Sequence, residues 1–144
     1  MLKAAKILAE TKPARFFLPI ADGVNETDII QQIQSAGVAI ELTREHRYDL
    51  MRIADAAVAT SGTVVLEAAL MDLPCVVVYK MAKVNFFIGK MLVKIDNISL
   101  PNILLGKRLQ PELLQDEVQP ATIATEIVKL YRGEPHRDKV VEEL

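Results

Sequence analysis

The hydrophobic positions of this chain fall into two patterns, short runs that are apolar throughout and longer segments with a helical period. A short continuous apolar run is typical of a strand that is buried on both faces of a parallel sheet. Strands are predicted on this basis at Arg15–Ile20, Val38–Leu42, Ala56–Thr60 and Pro74–Tyr79.

Helices are predicted between these strands and on either side of them. Strands that alternate with helices form βαβ crossovers, which favours an α/β fold with a doubly wound, Rossmann-like parallel sheet and helices on both of its faces. Because the sequence contains no repeat and no flexible linker, residues 1–144 are expected to form a single domain. The helices are placed at Leu2–Lys12, Glu26–Ala36, Tyr48–Ala54, Gly62–Met71, Lys83–Leu92, Pro111–Gln115 and Pro120–Tyr131.

Composition narrows the classes of function. The chain has 144 residues, of which 51% are hydrophobic and 25% are charged, and this suits one folded domain. Its net charge of -2 provides no basic surface, so no nucleic-acid partner is expected. No apolar run reaches the roughly 18–20 residues that span a bilayer, and no secretory signal is recognised, so a cytoplasmic protein is expected. The single cysteine, Cys75, is expected to be a small buried hydrophobe.

The turn after the third predicted strand, Thr60-Ser61-Gly62-Thr63, is the candidate ligand-binding loop. Ligands of doubly wound sheets bind outside the carboxyl ends of the strands, where such turns gather. Small residues let the backbone approach a ligand, and the start of a helix offers N–H groups to a phosphate. The alternative is purely local: Ser61 caps the helix and Gly62 eases the turn.

Glu67 interrupts an otherwise apolar helix that begins at this turn. Its neighbours predict a helix that is buried on nearly every side, and Thr63 and Glu67 share one face of it. An unpaired buried carboxylate costs several kcal/mol, so Glu67 needs either a partner or an open cleft. A ribose diol in such a cleft would offer it hydroxyl donors, as in dinucleotide-binding folds. The alternative is an ion pair with an arginine or lysine of the chain.

Several blocks of the chain resemble a known family. Residues 50–74 resemble the nucleotide-sugar-binding half of a B-type glycosyltransferase. Within that group, the match in order and spacing is to the C-terminal half of the lipid-A-disaccharide synthase family. The blocks that carry this resemblance are Thr60–Glu67, Val78–Met81, Ser99–Leu104 and Pro111–Gln115.

The resemblance implies an enzyme that joins two acylated glucosamines. Enzymes of this family transfer 2,3-diacylglucosamine from its UDP derivative to 2,3-diacylglucosamine 1-phosphate, which gives lipid A disaccharide 1-phosphate and UDP. They invert the anomeric centre and use neither a metal nor another cofactor. The chain has only His46 and His136, far apart in sequence, and both are expected at the surface.

The resemblance also implies a set of donor-binding residues. Ser61, Gly62 and Thr63 would meet the phosphates of the UDP-sugar, and Glu67 would meet its ribose. Asn102, placed on a loop, would hydrogen-bond the donor nucleotide or its phosphates.

Lys80 and Gln115 complete the implied donor site. Relatives often carry arginine at the position of Lys80, and a lysine offers a phosphate a point charge in place of a bidentate contact. Gln115 is expected to reach the donor, with a helix-surface position as the alternative. The catalytic base stays unassigned, because Asp22, Asp55 and Asp96 are candidates by chemistry only and otherwise typical caps, turn residues or solvated acids.

The family has two domains with the active site in the cleft between them, and this chain resembles only the C-terminal half. The N-terminal acceptor domain and a Gly-Ser-Arg phosphate loop are missing ahead of the helix that begins at Leu2. The chain is therefore expected to be a fragment, with Met1 internal or added, that binds UDP weakly and does not turn over. The lipid acceptor would bind through the missing domain.

The segment Lys83–Lys94 is the candidate membrane contact. Val84, Phe87, Ile88 and Met91 share one helical face while lysines lie on another, which is typical of an interfacial helix. Such a helix would place the protein peripherally on the inner face of the cytoplasmic membrane. The alternative is a helix packed on the core.

Two other classes of function stay open. A sugar-nucleotide epimerase-like domain has the same two-domain plan and a similar donor half. A non-catalytic α/β module would use the edge of its sheet to assemble with another chain or, as a homodimer, with itself.

Overall fold

The computed structural model describes residues 1–80 and 97–144. The predicted helix at Lys83–Leu92, the candidate membrane contact at Lys83–Lys94 and Asp96 lie outside the described residues. The described elements are α1 (Leu2–Thr11), β1 (Phe16–Pro19), α2 (Glu26–Ala36), β2 (Ile40–Thr43), α3 (Arg47–Ile53), β3 (Ala57–Thr60), α4 (Thr63–Ala69), β4 (Cys75–Tyr79), α5 (Leu100–Leu105), β5 (Glu112–Leu114), a 3₁₀ turn (Gln115–Glu117), α6 (Pro120–Val128) and α7 (Pro135–Glu143).

Helix α2 shows how local chemistry sets the ends of an element. The Asn25 side chain accepts a hydrogen bond from the N–H of Thr27 at 3.0 Å, which caps the first turn. At the other end Gly37 adopts the left-handed conformation, with φ 65°, that terminates the helix. The predicted bounds Glu26–Ala36 are confirmed because both signals are contained in adjacent residues.

The four predicted strands are confirmed, within slightly different bounds, and all their pairings are parallel. The predicted helix at Pro111–Gln115 is wrong, because Glu112–Leu114 forms a fifth strand beside β4. A run of five residues is too short to separate a helical from an extended period, and pairing with the edge of β4 decides the outcome. Helices α5 and α7 are additions that the apolar pattern did not predict.

The strands form two parallel groups. One contains β1 and β2, and the other contains β3, β4 and β5 in that spatial order. Within residues 1–80 and 97–144 no ladder of hydrogen bonds joins the two groups. The α/β class with parallel sheets is therefore confirmed, whereas one continuous doubly wound sheet stays a prediction.

The second group has apolar residues on both of its faces, with β4 at its centre. Val76 and Val78 pack with buried residues of α1, α6 and α7, while Cys75 and Val77 pack with those of α4. This alternation follows from the two-residue period of a strand. Because both faces of β4 are covered, its sequence is a continuous apolar run. The parallel pairing of β3, β4 and β5 places the carboxyl ends of the three strands at one edge.

The thiol of Cys75 is expected to be unreactive in the folded chain. It is fully buried, and burial raises its pKa to about 12. Because the thiolate is the nucleophile, iodoacetamide at about pH 8 should label the native chain only as fast as the chain unfolds. In concentrated guanidinium chloride the same reagent should modify one thiol per chain, which mass spectrometry measures. Rapid labelling of the native chain would contradict this burial.

Candidate functional site

Three of the predicted donor-binding positions lie at the same edge of the sheet. Ser61 follows the end of β3, Lys80 follows the end of β4, and Gln115 follows the end of β5. Because these strands are parallel and adjacent, the three positions are neighbours along the carboxyl edge. We call this group, together with Gly62, Thr63 and Glu67, the carboxyl-edge site.

The turn at the end of β3 is held by a contact with a distant segment. The Ser61 hydroxyl donates a hydrogen bond to the backbone carbonyl of Ile98 at 2.9 Å. Gly62 is the N-cap residue of α4, and no side chain caps that helix, so the local alternative in which Ser61 is the cap is wrong. A Cβ built on Gly62 would have no atom of the described chain within 4 Å. Among the described residues, the space beside Gly62 is therefore open.

Glu67 forms an ion pair at the surface. Its Oε2 lies 3.2 Å from Nη2 of Arg47, and the two side chains are 31% and 53% exposed. Arg47 also donates a hydrogen bond to the Tyr48 hydroxyl and lies over the Tyr48 ring. The hydrogen bond to Tyr48 and, after it, the charge of Glu67 raise the pKa of Arg47. The arginine is thus fixed on α3 in a position that orients the carboxylate.

The ion pair leaves part of the Glu67 carboxylate without a hydrogen bond. Oε2 is covered by protein atoms, yet within the described residues it makes no well-directed hydrogen bond. Arg47 lies close enough for an ion pair, but none of its N–H groups points at this oxygen as a hydrogen-bond donor. The predicted alternative, pairing with an arginine of the chain, is therefore present, and among the described residues it leaves Oε2 without a directed hydrogen bond.

Helix α4 is buried on one side only, so the prediction of burial on nearly every side is wrong. Val65, Ala68 and Ala69 are buried, whereas Val64 is 39% exposed and the following Leu70 is 73% exposed. The helix has seven residues and contacts β3, β4 and α5. An apolar composition shows which residues tolerate burial, but only the neighbouring elements determine which sides are covered.

Gln115 occupies a strained position at the end of β5. Its φ of 49° lies in the left-handed region, which residues other than glycine rarely adopt. Its side-chain Nε2 is buried and has no hydrogen-bond partner among the described residues. An unpaired buried donor combined with an unusual backbone conformation is typical of a functional site. Gln115 is also not a helix-surface residue, because it follows a strand and begins the 3₁₀ turn.

Asn102 lies inside the protein. It belongs to α5 and is fully buried, in contrast to the predicted loop position. Its Nδ2 donates to the carbonyl of Gln110 and to Oε1 of Glu112 at 2.9 and 2.8 Å. Its Oδ1 accepts from the N–H groups of Leu109 and Gln110, both at 2.9 Å. A contact between Asn102 and the nucleotide stays a prediction, while these four bonds give the side chain a structural role.

Glu112 is the buried acid that sequence reasoning missed. It is 1% exposed and faces the segment that leads into α5. One carboxylate oxygen accepts from the N–H of Ile98 at 2.9 Å. The other accepts from the N–H and hydroxyl of Ser99 at 2.9 and 2.7 Å, and from Asn102. The available signal was that Ser99, Asn102 and Glu112 all lie in the blocks that carried the resemblance.

The remaining chemical candidates lie at the surface. Asp55 pairs with Arg132 at 2.8 Å, and Asp22 is exposed. His46 precedes α3 and His136 lies on α7, and both are exposed, as predicted. Nothing in residues 1–80 and 97–144 gathers three or more histidine, cysteine or acidic side chains into a potential metal site.

None of the described helices has both the length and the apolar character needed to cross a membrane.

Comparison with known proteins identifies one matching family and relatives that share its name. Residues 1–143 match the family described as lipid-A-disaccharide synthetase. A lipid-A-disaccharide synthase of Syntrophus aciditrophicus is 43% identical, and the match covers 99% of this chain and 38% of the relative. Proteins of the same name from Geobacter metallireducens and Nitrosococcus oceani are 36% and 38% identical, over 96% and 95% of this chain.

The match covers nearly all of this chain but little more than a third of each relative. The chain spans only 36% of the length of the Geobacter metallireducens and Nitrosococcus oceani relatives. Within this chain the match includes every residue of the carboxyl-edge site and of the buried cluster around Glu112. Because the match extends over nearly all of its residues, this chain belongs to the lipid-A-disaccharide synthetase family.

Proposed function

We propose that this chain is the nucleotide-sugar-binding, C-terminal part of an inverting, metal-independent glycosyltransferase. The enzyme transfers 2,3-diacylglucosamine from UDP to 2,3-diacylglucosamine 1-phosphate and releases UDP and lipid A disaccharide 1-phosphate. Membership of the family and the relatives' shared name, lipid-A-disaccharide synthase, support this assignment over an epimerase-like domain.

One observation carries the assignment of the site. Two polar atoms, Oε2 of Glu67 and Nε2 of Gln115, are buried and lack hydrogen-bond partners among the described residues. One is an acceptor and the other a donor, and both lie in the carboxyl-edge site. Buried polar atoms in folded proteins are normally satisfied, so a pair of this kind at the ligand-binding edge of a parallel sheet supports a polar ligand.

The charges of the site residues indicate which part of the UDP-sugar each would bind. Lys80 is the cation of the site and would meet the diphosphate beside the turn Ser61–Thr63. Glu67 carries a negative charge that repels phosphate, so its ligand would be the ribose diol. Arg47 lies 3.2 Å from Oε2 of this carboxylate without directing a hydrogen bond at it, so it would fix the carboxylate by charge while the diol donates hydrogen bonds to it. Gln115 would donate its amide N–H, which has no partner among the described residues, to an oxygen of the donor.

Other parts of the activity belong to this proposal as well. The lipid acceptor would bind to the rest of the longer protein. The catalytic base would come from there as well, because the described acids are solvated or engaged within the chain. Contact with the membrane through Lys83–Lys94, location at the inner face of the cytoplasmic membrane, and a homodimer stay predictions.

Binding of UDP and 2′-deoxy-UDP tests the proposal. Saturating UDP is expected to stabilise the chain by about 2–3 kcal/mol, more than UMP or ADP, as followed by thermal unfolding. The wild-type chain should prefer UDP to 2′-deoxy-UDP, because only UDP presents a diol to Glu67. Glu67→Gln should weaken UDP about tenfold and abolish that preference, since a neutral amide accepts more weakly from a hydroxyl.

The matched control is Glu41→Gln. Glu41 pairs with Arg15 at 2.8 Å on β2, so this variant also removes one partner of a surface arginine ion pair. It should leave the affinities for both nucleotides unchanged. The proposed site is wrong if UDP produces no stabilisation, or if Glu67→Gln and Glu41→Gln behave alike.

A further inference from the structure

We propose that Glu112 is a positioning residue for the carboxyl-edge site and acts on it through Ile98 and Ser61. The inference rests on the proposed function, because it concerns how the turn that would meet the diphosphate is held in place. No contact between Glu112 and the ligand is involved, so its role is indirect.

The environment of Glu112 is built around its carboxylate. The side chain is 1% exposed, and each of its partners donates a hydrogen bond to it. Within residues 1–80 and 97–144 no arginine or lysine side chain pairs with this carboxylate. A buried acid costs several kcal/mol unless hydrogen bonds compensate it, and here they come from the chain segment that enters α5.

A continuous path of hydrogen bonds connects this acid to the turn. Oε2 of Glu112 accepts from the N–H of Ile98 at 2.9 Å. The carbonyl of the same residue accepts from the Ser61 hydroxyl, also at 2.9 Å. Both polar backbone groups of Ile98 are therefore used, one towards the core and the other towards the site.

The path joins parts of the chain that are distant in sequence. Ser61 and Ile98 are separated by 37 positions, and Ile98 and Glu112 by 14. Glu112 lies on β5, three positions before Gln115, whose amide has no partner among the described residues and belongs to the same edge. The buried acid thus connects the turn after β3 to the strand that ends at Gln115.

The test replaces the carboxylate by its isosteric amide in the full 144-residue chain, as Glu112→Gln. The amide oxygen is expected to stay with the donors of Ser99 and Asn102, which places the NH₂ group opposite the N–H of Ile98. The amide of Ile98, followed by NMR hydrogen exchange, should then exchange about tenfold or more faster. The dissociation constant for UDP should rise about tenfold, the equivalent of one well-placed hydrogen bond.

Two further variants separate positioning from general destabilisation. Val140→Ala removes buried side-chain volume in α7, away from the edge, and should lower stability without changing the affinity for UDP. Ser61→Ala removes the last bond of the path and should also weaken UDP about tenfold. Because both changes act through one path, their combination should weaken UDP little more than either alone.

The outcomes distinguish the two proposals. A wild-type chain that does not bind UDP overturns the proposed function itself. A chain that binds UDP and keeps its affinity in Ser61→Ala overturns the positioning role together with the proposed contact of Ser61 with the phosphates, even if Glu112→Gln does not fold, while UDP binding itself stands. Unchanged hydrogen exchange at Ile98 in folded Glu112→Gln overturns it as well, whatever the affinity for UDP.

Discussion

Replacing Asn102 by aspartate is expected to destabilise the folded chain by more than about 3 kcal/mol at neutral pH. The Nδ2 group of Asn102 donates to the carbonyl of Gln110 and to the carboxylate of Glu112. An aspartate of the same shape would present an oxygen to these two acceptors and would bring a second negative charge against a buried one. The substitution therefore replaces two buried attractive contacts by repulsive ones.

The stability that Asn102→Asp loses should increase as the pH rises. Two carboxyl groups in contact in the folded variant are expected to retain one proton that the unfolded chain releases above about pH 4. The folded state then binds more protons than the unfolded state, so the free energy of unfolding falls as the pH rises through this range. Lowering the pH towards 4 should recover part of the stability, because the shared proton restores one donor.

Chemical denaturation of the variant at several pH values measures this effect. Asn102→Ala is the control, since it deletes the same donors without adding charge. It also removes the acceptor of the Gln110 N–H, whereas the Leu109 N–H keeps the carbonyl of Lys107 at 3.1 Å. It should cost about 2–4 kcal/mol with little dependence on pH relative to the wild type. Equal and pH-independent losses in the two variants would contradict the buried arrangement of Asn102 and Glu112.

Replacing Leu130 by alanine is expected to cost about 3 kcal/mol, within the usual range for a buried leucine. Leu130 is 0% exposed and belongs to the apolar cluster that packs α1, α6 and α7 against β4. Several elements meet at this cluster, so a cavity there cannot close by the movement of one side chain. The loss therefore includes both the transfer of the side chain and the cavity that remains.

The same substitution at Leu104 provides the matched control. Leu104 lies on α5 and is 73% exposed, so Leu104→Ala should change stability by no more than about 0.5 kcal/mol. Urea denaturation of both variants gives the two free energies of unfolding under one condition. Similar values at the two positions would contradict the assignment of Leu130 to the core.

The candidate site could be predicted from the sequence only in part. The turn Ser61–Thr63 was located because it follows an apolar strand, and strand exits are recognisable from a continuous apolar run. Lys80 was assigned to the site through the family resemblance. Glu67 stood out as an acid within an apolar helix, although its partner Arg47 was not identifiable. That pairing joins α3 to α4, and the side on which one helix meets another is not contained in either segment alone.

The sequence by itself determined the alternation of helices and strands, the four strands with long apolar runs, the bounds of α2, and the family to which the motifs belong. The helices and strands depend on side chains within about ten residues of one another, so local periodicity and capping groups are sufficient, whereas the family follows from the order and spacing of its motifs. Only the tertiary structure decided that Glu112–Leu114 is a strand, that Asn102 is buried, and that Gln115 is left-handed with an amide that has no partner among the described residues. The physical reason is that a buried polar group is stable only where its partners are, and those of Glu112 come from a segment that folding brings to it.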